Sequence, residues 1–461
     1  MILPKQIKSL HFIGIGGVGM SALARMALHH GYSVSGSDSS PDNILIQQLI
    51  GEGAKFFRGH SAANIKDADV VIYSTAIRED NPELVAAEQK GIPVWHRSEL
   101  LAASLNKSQS IGISGTHGKT TVSAMTSLMM EAADMDPTAL VGAMVPKFES
   151  NLRLGKSPWV VAECDESDQS FLRYNVQHAI ITNIEADHLE NYGSYEAIQD
   201  AFKQFLKQVR PDGMIVLSAD DEGIREMLPT LDVPYVTYGL FPRIADVRAR
   251  NIKETTMGSS FDVEWRGHAL GSINLVIPGI HNISNALGVI ALGRSLGIPF
   301  ETIAATLERY TGVHRRFEIK GTRSGVTVVD DYAHHPTEVI ATLSAAVNKK
   351  SQGRVISVFQ PHRFSRTQAM SQEFGRAFGQ SDHVVVTDVY AAGEDPIDGV
   401  SGRTIFESIQ RSGHPNVSFI PTNFEVEQHL LNTVQEGDVV LTMGAGDIWR
   451  VGEQLLDSLP S

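Results

Sequence analysis

The 461-residue chain carries 39 Lys and Arg against 53 Asp and Glu, a net charge of −14, with 42% hydrophobic and 20% charged residues. This ordinary globular composition excludes a wholly disordered, collagen-like or coiled-coil chain, and the acidic balance argues against non-specific binding of nucleic acid or an anionic membrane. Anionic small substrates remain open, because local donors and metal ions overrule a distant field.

The length predicts about three domains. A single cysteine, Cys164, rules out an intrachain disulfide and a multi-cysteine zinc site, and suits a reducing cytoplasm. No run of about 18 apolar residues predicts a membrane helix. The apolar stretch Leu10–Ile15 is broken at once by glycines, so it reads as a strand entering a turn and not as a secretion signal. Oligomeric state has no signature in the sequence; monomer and homodimer are both open.

Over residues 1–105, predicted strands at His11–Ile15, Ser33–Gly36 and Val70–Ser74 alternate with helical stretches such as Ser21–His30. Alternation of this kind predicts a Rossmann-like parallel sheet flanked by helices. A polar linker, Asn106–Ser110, opens a second α/β domain over residues 106–312. Its predicted strands are Ile111–Ser114, Trp159–Ala162 and Ala179–Thr182. Residues 235–275 lack helical periodicity and predict a small antiparallel portion, followed by a helix at His281–Leu296. The third domain, residues 313–461, repeats the α/β pattern through Val326–Val329, Val355–Phe359, His383–Thr387 and Val439–Met443.

Gly14, Gly16 and Gly19 form G-x-G-x-x-G between a predicted strand and helix, with Gly17 inside the loop and Asp38 ending the second strand. In that setting backbone N–H groups approach a pyrophosphate and the carboxylate accepts from a ribose hydroxyl. The pattern alone separates neither NAD from a nucleotide sugar nor a ligand site from a tight turn. Ser74 closes the third predicted strand at the edge where such sheets bind ligands, as a site residue or an ordinary turn residue.

Gly115-Thr116-His117-Gly118-Lys119-Thr120-Thr121 is the strongest local signal. Its backbone N–H groups would cradle phosphates, Lys119 would neutralise them, and Thr120 would reach Mg2+. Ile113 stands where the strict P-loop has glycine, so the loop is a shortened variant. Glu163 follows the strand Trp159–Ala162 and faces the same edge, a second candidate for the metal. Asp165, Glu166 and Asp168 predict mostly a solvated turn. His188 stays open between a packing role and a metal role, since Mg2+ prefers oxygen, although Asp187 and Glu185 keep a metal site plausible.

These tracts together resemble the Mur ligase family of ATP-dependent amide-forming enzymes. The carriers are Gly115–Thr121, AECDESD at Ala162–Asp168, NIEADH at Asn183–His188, HNISNA at His281–Ala286, HRRFE at His314–Glu318, DDYAHHPTE at Asp330–Glu338, QPHRFSRT at Gln360–Thr367 and MGAGDI at Met443–Ile448. Their order spans almost the whole chain. The forms GIGGVGMS at Gly14–Ser21, HHPTE and HRFSRT look like the member that joins L-alanine to UDP-N-acetylmuramate.

The resemblance implies three α/β domains, the first for the UDP sugar through Gly16, Gly17, Gly19, Asp38 and Ser74, the second for ATP, the third closing with the amino acid. Lys119 would contact ATP phosphates; Thr120 and Glu163 would hold one Mg2+, and His188 would serve a second metal. Asn282 would contact adenine with His281 beside it. Arg316 would reach phosphate, and Tyr332, His334, Arg363 and Arg366 would form the substrate and amino-acid end, with His334 a candidate base. His335 precedes Pro336 and reads as a helix start. Cys164 stands where relatives often have alanine, placing an oxidisable thiol near the metal site, and no lysine after His188 suggests a carbamylated metal support. Three other readings stay in play: a relative that joins a peptide to the same sugar, an NAD-dependent dehydrogenase, which leaves Gly115–Thr121 unexplained, and a noncatalytic nucleotide-binding module.

Overall fold

The computed structural model describes residues 3–40, 43–241, 245–255, 258–349 and 353–460. Its strands form three sheets, one per α/β domain. The chain packs as two compact units, Met1–Arg250 with Asp262–Ile273 and Ser284–Leu307, and Asn251–Phe261 with Asn274–Ile283 and Glu308–Ser461.

The first sheet contains β1 (Ser9–Ile13), β2 (Ser33–Asp38), β3 (Lys55–Arg58), β4 (Val70–Tyr73) and β5 (Val94–His96), all parallel in the order β3-β2-β1-β4-β5. Order reverses between β1 and β4, the place where open α/β sheets bind ligands beyond their strand ends. Helices α1 (Val18–His29), α2 (Ile44–Gly51), α3 (Pro82–Lys90) and α4 (Arg97–Leu105) connect the strands. Only three of the five strands are predicted above: Lys55–Arg58 and Val94–His96 are too short and too mixed in polarity to register as apolar runs. Helix α1 starts three residues earlier than predicted, directly on the glycine loop.

The second sheet runs β15-β14-β13-β12-β11-β10-β6-β9-β7-β8, with β6 (Gln109–Ser114), β7 (Thr138–Val145), β8 (Ser150–Arg153), β9 (Trp159–Glu163), β10 (His178–Ile181), β11 (Met214–Ser218), β12 (Tyr235–Gly239), β13 (Val247–Thr255), β14 (Gly258–Trp265) and β15 (His268–Leu275). The expected antiparallel portion at 235–275 needs correction at its start. Strand β12 pairs in parallel with both β11 and β13. Neighbours β14 and β15 are joined by Arg266 and Gly267, both at positive φ (49° and 83°), the two-residue turn of a tight hairpin. The linker shrinks too, since β6 already includes Gln109.

The first and second domains share one continuous core, from Leu10, Phe12 and Leu23 to Leu140, Leu152 and Phe171. Asn151 Nδ2 donates to Val18 O at 2.6 Å and Arg25 donates to Ser150 Oγ, pinning α1 to the β7–β8 edge.

The third sheet runs β16-β17-β21-β18-β19-β20: β16 (Glu318–Arg323), β17 (Val326–Asp331), β18 (Val355–Phe359), β19 (His383–Val386), β20 (Val417–Phe419) and β21 (Val439–Met443). It is parallel except for the edge strand β16. Val355 and Phe359 pack into the core on one face, Ile356 and Val358 into the core on the other. Burial on both faces explains the unbroken apolar runs of these strands.

Candidate active site

Helix α5 (Lys119–Ala132) follows β6 through Gly115–Gly118. Gly115 and Gly118 sit at φ 128° and 86°, where a side chain is strained. A Cβ at Gly118 would stand 2.6 Å from Asn285 Oδ1, and one at Gly115 would strike Thr182. The loop is braced from the end of β10: Asn183 Oδ1 accepts from His117 N at 2.8 Å, Asn183 O accepts from Thr116 N, and Thr116 Oγ1 accepts from Glu185 N. The loop is thereby held against the N-terminus of α5, where the helix dipole favours an anion. Thr121 is buried in the first helical turn.

Parallel pairing of β6 with β9 sets Glu163 opposite Ile113, two residues before the loop. Thr120 Oγ1 donates to Glu163 Oε2 at 3.2 Å, and Gly142 N on β7 donates to Glu163 Oε1. Lys119 Nζ donates to Gly115 O at 2.6 Å and to Glu166 Oε1 at 2.9 Å. Burial works against this ammonium, but Glu166 and Asp165 more than restore its charge.

The expectation of a solvated acidic turn at Asp165, Glu166 and Asp168 is overturned. Glu166 is 3% exposed, and burial, with Asp165 adding, pushes its carboxyl upward against the pull of Lys119. Asp165 Oδ2 accepts from Arg97 Nη2 at 2.7 Å; despite its burial, Arg97 and then Lys119 hold it well below the usual carboxylate range. Asp168 Oδ2 lies 3.6 Å from His96 Nε2. Arg97 of α4, His96 of β5 and Lys119 of α5 make this tract a partly buried ion-pair seam, which composition does not reveal. His188 takes φ 56°, with Nε2 3.4 Å from Asp187 and Nδ1 3.6 Å from Glu190. No group of three ligating His, Cys, Asp or Glu side chains among the described residues includes His188 or Glu163. The thiol of Cys164 is fully buried and pushed up by burial and by Glu163 beside it, so it stays protonated and inert rather than oxidisable.

In the first domain Gly14 and Ile15 donate their N–H groups to Ser37 O, while Gly16 N donates to Asp38 Oδ2 at 2.9 Å. Asp38 thus braces the loop itself. Gly17 and Gly19 are exposed, and Ser74 sits half-buried just past β4. Sequence reasoning missed Glu83, buried against Ser37, the residue whose carbonyl holds this loop: it accepts from Ser37 Oγ at 2.6 Å and Asn64 Nδ2 at 2.6 Å, with His11 Nε2 3.5 Å away. Burial pushes its carboxyl up, yet His11, Ser37 and Asn64 outweigh that and hold it at about 2.

The C-terminal unit gathers a second set beyond the ends of β17 and β18. Arg316 lies over the Tyr332 ring at 5.2 Å and 3.5 Å from Glu338 Oε1. Glu338 Oε2 accepts from His334 N at 2.9 Å, and the helix Pro336–Lys349 begins after His335, as expected. Glu338 is a second missed residue; the PTE triplet after HH is its signal. The rings of His334 and His362 lie 5.7 Å apart, and His362 stacks on Tyr390. Burial, reinforced by Arg366, lowers His334 to about 4 against the pull of Glu338; burial, His334, Arg366 and Arg363 lower His362 to about 3. Arg363 and Arg366 therefore do serve one locality. Arg363 holds φ 69°, ψ 140°, a region glycine prefers. His281 is exposed, and Asn282 Nδ2 donates to Pro278 O at 2.7 Å.

Models of the Mur ligase family match in chain order: its catalytic domain at residues 9–109, its middle domain at 113–293 and its glutamate ligase domain at 315–446. The UDP-N-acetylmuramate–L-alanine ligase of Pelotomaculum thermopropionicum is 45% identical over 452 residues, 98% of each chain. The chain belongs to the Mur ligase family. That of Desulfatibacillum aliphaticivorans is 44% identical over 98% of each chain. The solved UDP-N-acetylmuramate–alanine ligase of Thermotoga maritima is 33% identical with TM-score 0.84, covering 97% of this chain and 98% of that one. A murein peptide ligase from Psychrobacter arcticus, 22% identical with TM-score 0.76, shares the fold.

The Mur ligase site fits a hard divalent cation on its own geometry. Thr120 and Glu163 offer only oxygen, as Mg2+ prefers. A Cβ at Gly142 would fall 2.7 Å from both Glu163 oxygens and 2.9 Å from Thr120 Oγ1, so the absent side chain keeps a cradle open. No helix among the described residues is long and apolar enough to cross a membrane.

Proposed function

We propose that the two glycine loops and the C-terminal histidine–arginine set carry one reaction. The chain is an ATP-dependent ligase that adds L-alanine to UDP-N-acetylmuramate in peptidoglycan synthesis, the activity named for its relatives of 42–45% identity. The observation that carries the local reading is the triad of Lys119, Thr120 and Glu163 at the strand–loop–helix junction.

A free carboxylate is a poor electrophile, so the sugar-borne acid is first phosphorylated by ATP. The acid oxygen attacks the γ-phosphorus, the bond to the ADP oxygen breaks, and an acyl phosphate results. The neutral amine of L-alanine then attacks the acyl carbon, phosphate leaves, and the amine loses a proton. Approach of two anions is the main electrostatic barrier. Lys119 and the amides of Gly118 and Thr121 at the start of α5 offset it with preorganised positive charge, on a loop that Gly115, Thr116 and His117 shape, as does Arg316 on the transferred group. Thr120 and Glu163 would hold Mg2+, which supplies charge neutralisation, and His188 would serve a second ion. Asn282, with His281 beside it, would contact adenine.

Gly16, Gly17, Gly19, Asp38 and Ser74 take the UDP sugar. Arg363 or Arg366 grips the alanine carboxylate with its two-pronged guanidinium. Tyr332 and His334 line the amino-acid end, His334 in its neutral, proton-accepting form. The domains assigned to these tasks are residues 1–105, 106–312 and 313–461.

Product analysis tests the reading: ATP, Mg2+, UDP-N-acetylmuramate and L-alanine should give the amide, ADP and phosphate. Oxygen-18 in the sugar carboxylate should appear in the phosphate. Turnover with a tripeptide and none with L-alanine would move the assignment to a peptide ligase.

A further inference from the structure

One guanidinium touches both glycine loops' surroundings. Arg97, first residue of α4, sends Nη2 to Asp165 Oδ2 at 2.7 Å, and a Cβ at Gly19 would lie 3.3 Å from its Nη1. Asp165 also feels Lys119, and the next residue, Glu166, holds Lys119 Nζ at 2.9 Å. Asp165 is locally rigid: its Oδ1 accepts from Ser167 N and its carbonyl accepts from Phe171 N. Two ion pairs, Arg97–Asp165 and Lys119–Glu166, joined by the peptide bond between the two acids, thus run from Gly19 to Lys119, all within one compact unit.

We propose that Arg97 is a positioning residue that couples the two loops, so that a nucleotide-sugar diphosphate at Gly14–Gly19 tightens triphosphate binding at Gly115–Thr121. The inference rests on the proposed placement of the two nucleotides. A guanidinium fork serves two anions at once, Asp165 through Nη2 and a diphosphate at the exposed Gly19 end through Nη1. A diphosphate on Nη1 holds the guanidinium from a second side, so Arg97 keeps Asp165, and with it the backbone that carries Glu166, in the arrangement seen here. The second ligand then meets an ordered Lys119–Glu166 pair and loses less freedom on binding. Coupling of this kind is reciprocal.

The test is calorimetric, without turnover. Binding of a non-hydrolysable ATP analogue with Mg2+ is measured alone and with saturating UDP-N-acetylmuramate. In the native enzyme the sugar nucleotide should tighten the analogue on the order of tenfold. In Arg97→Ala and in Asp165→Asn the ratio should fall to about one, with no further loss in the double variant, while Arg97→Lys restores it in part. Asp165→Asn keeps the side chain's size and its bond to Ser167, so it carries the test if Arg97→Ala fails to fold. An unchanged ratio in either variant overturns the coupling, as does a native ratio of one or below. Failure of the sugar nucleotide to bind the native enzyme at all would instead overturn the functional reading.

Discussion

Glu166 Oε1 lies 2.9 Å from the Lys119 ammonium, while Glu166 Oε2 is buried without a hydrogen-bond partner among the described residues. The phosphate-loop lysine is thus held by a carboxylate that has little else to bind. Removing the lysine strands a buried acid, a loss that costs about 3–5 kcal/mol when the acid stays charged. Lys119→Ala should therefore lower both ligation, by on the order of a thousandfold or more, and the melting temperature. Adding Glu166→Gln should restore the melting temperature but not turnover. Recovery of turnover in the double variant would remove Lys119 from the chemistry.

Gly142 offers a test of the metal cradle that leaves every ligand in place. Gly142→Ala puts a methyl against Glu163 and Thr120. The Mg2+ concentration for half-maximal ligation should rise about tenfold, a cost of roughly 1.4 kcal/mol, with little change in KM for L-alanine. A Mg2+ titration reads this directly.

Strain at Arg363 predicts a trade between stability and activity. Its φ of 69° with ψ 140° costs a non-glycine residue on the order of 1–3 kcal/mol. Arg363→Gly should melt no lower than the native chain, yet kcat/KM for L-alanine should fall by about a hundredfold or more, as for loss of a charge-assisted fork. Thermal melts and initial rates decide it.

Glu83 sets an acid limit. Its carboxyl is held at about 2 in the folded chain, below its ordinary 4.5, so its contribution to stability is complete above pH 4.5 and is lost as pH falls toward 2. Glu83→Gln should destabilise the chain by about 2–4 kcal/mol at pH 7 and flatten the stability profile between pH 4.5 and 2. Urea melts across that range give the slope.

His334 is lowered to about 4, so its imidazole stays neutral down to that pH. Its ring signals in a nitrogen-15 histidine spectrum should not titrate between pH 5 and 8. An inflection near 6.5 would deny it the role of standing proton acceptor.

Local chemistry was legible in the chain: glycines where a turn needs positive φ, a lysine and threonine at a strand–helix junction, apolar runs buried on two faces. Such signals lie within one turn or strand, and their order identified the family. The partners of these residues were not legible. Thr120 meets Glu163 43 positions away, Lys119 meets Glu166 47 away, and Arg97 meets Asp165 68 away. Strand order brings the first two pairs together, because β6 pairs with β9 rather than with its neighbour in sequence, and the third forms where α4 packs against the end of β9. A run such as Asp165–Asp168 reads as solvated by composition, and only the packing of α4 and α5 against it supplies Arg97 for Asp165 and Lys119 for Glu166. Gly142 and Glu83 were silent for the same reason: an absent side chain and a buried acid acquire meaning from what folds against them.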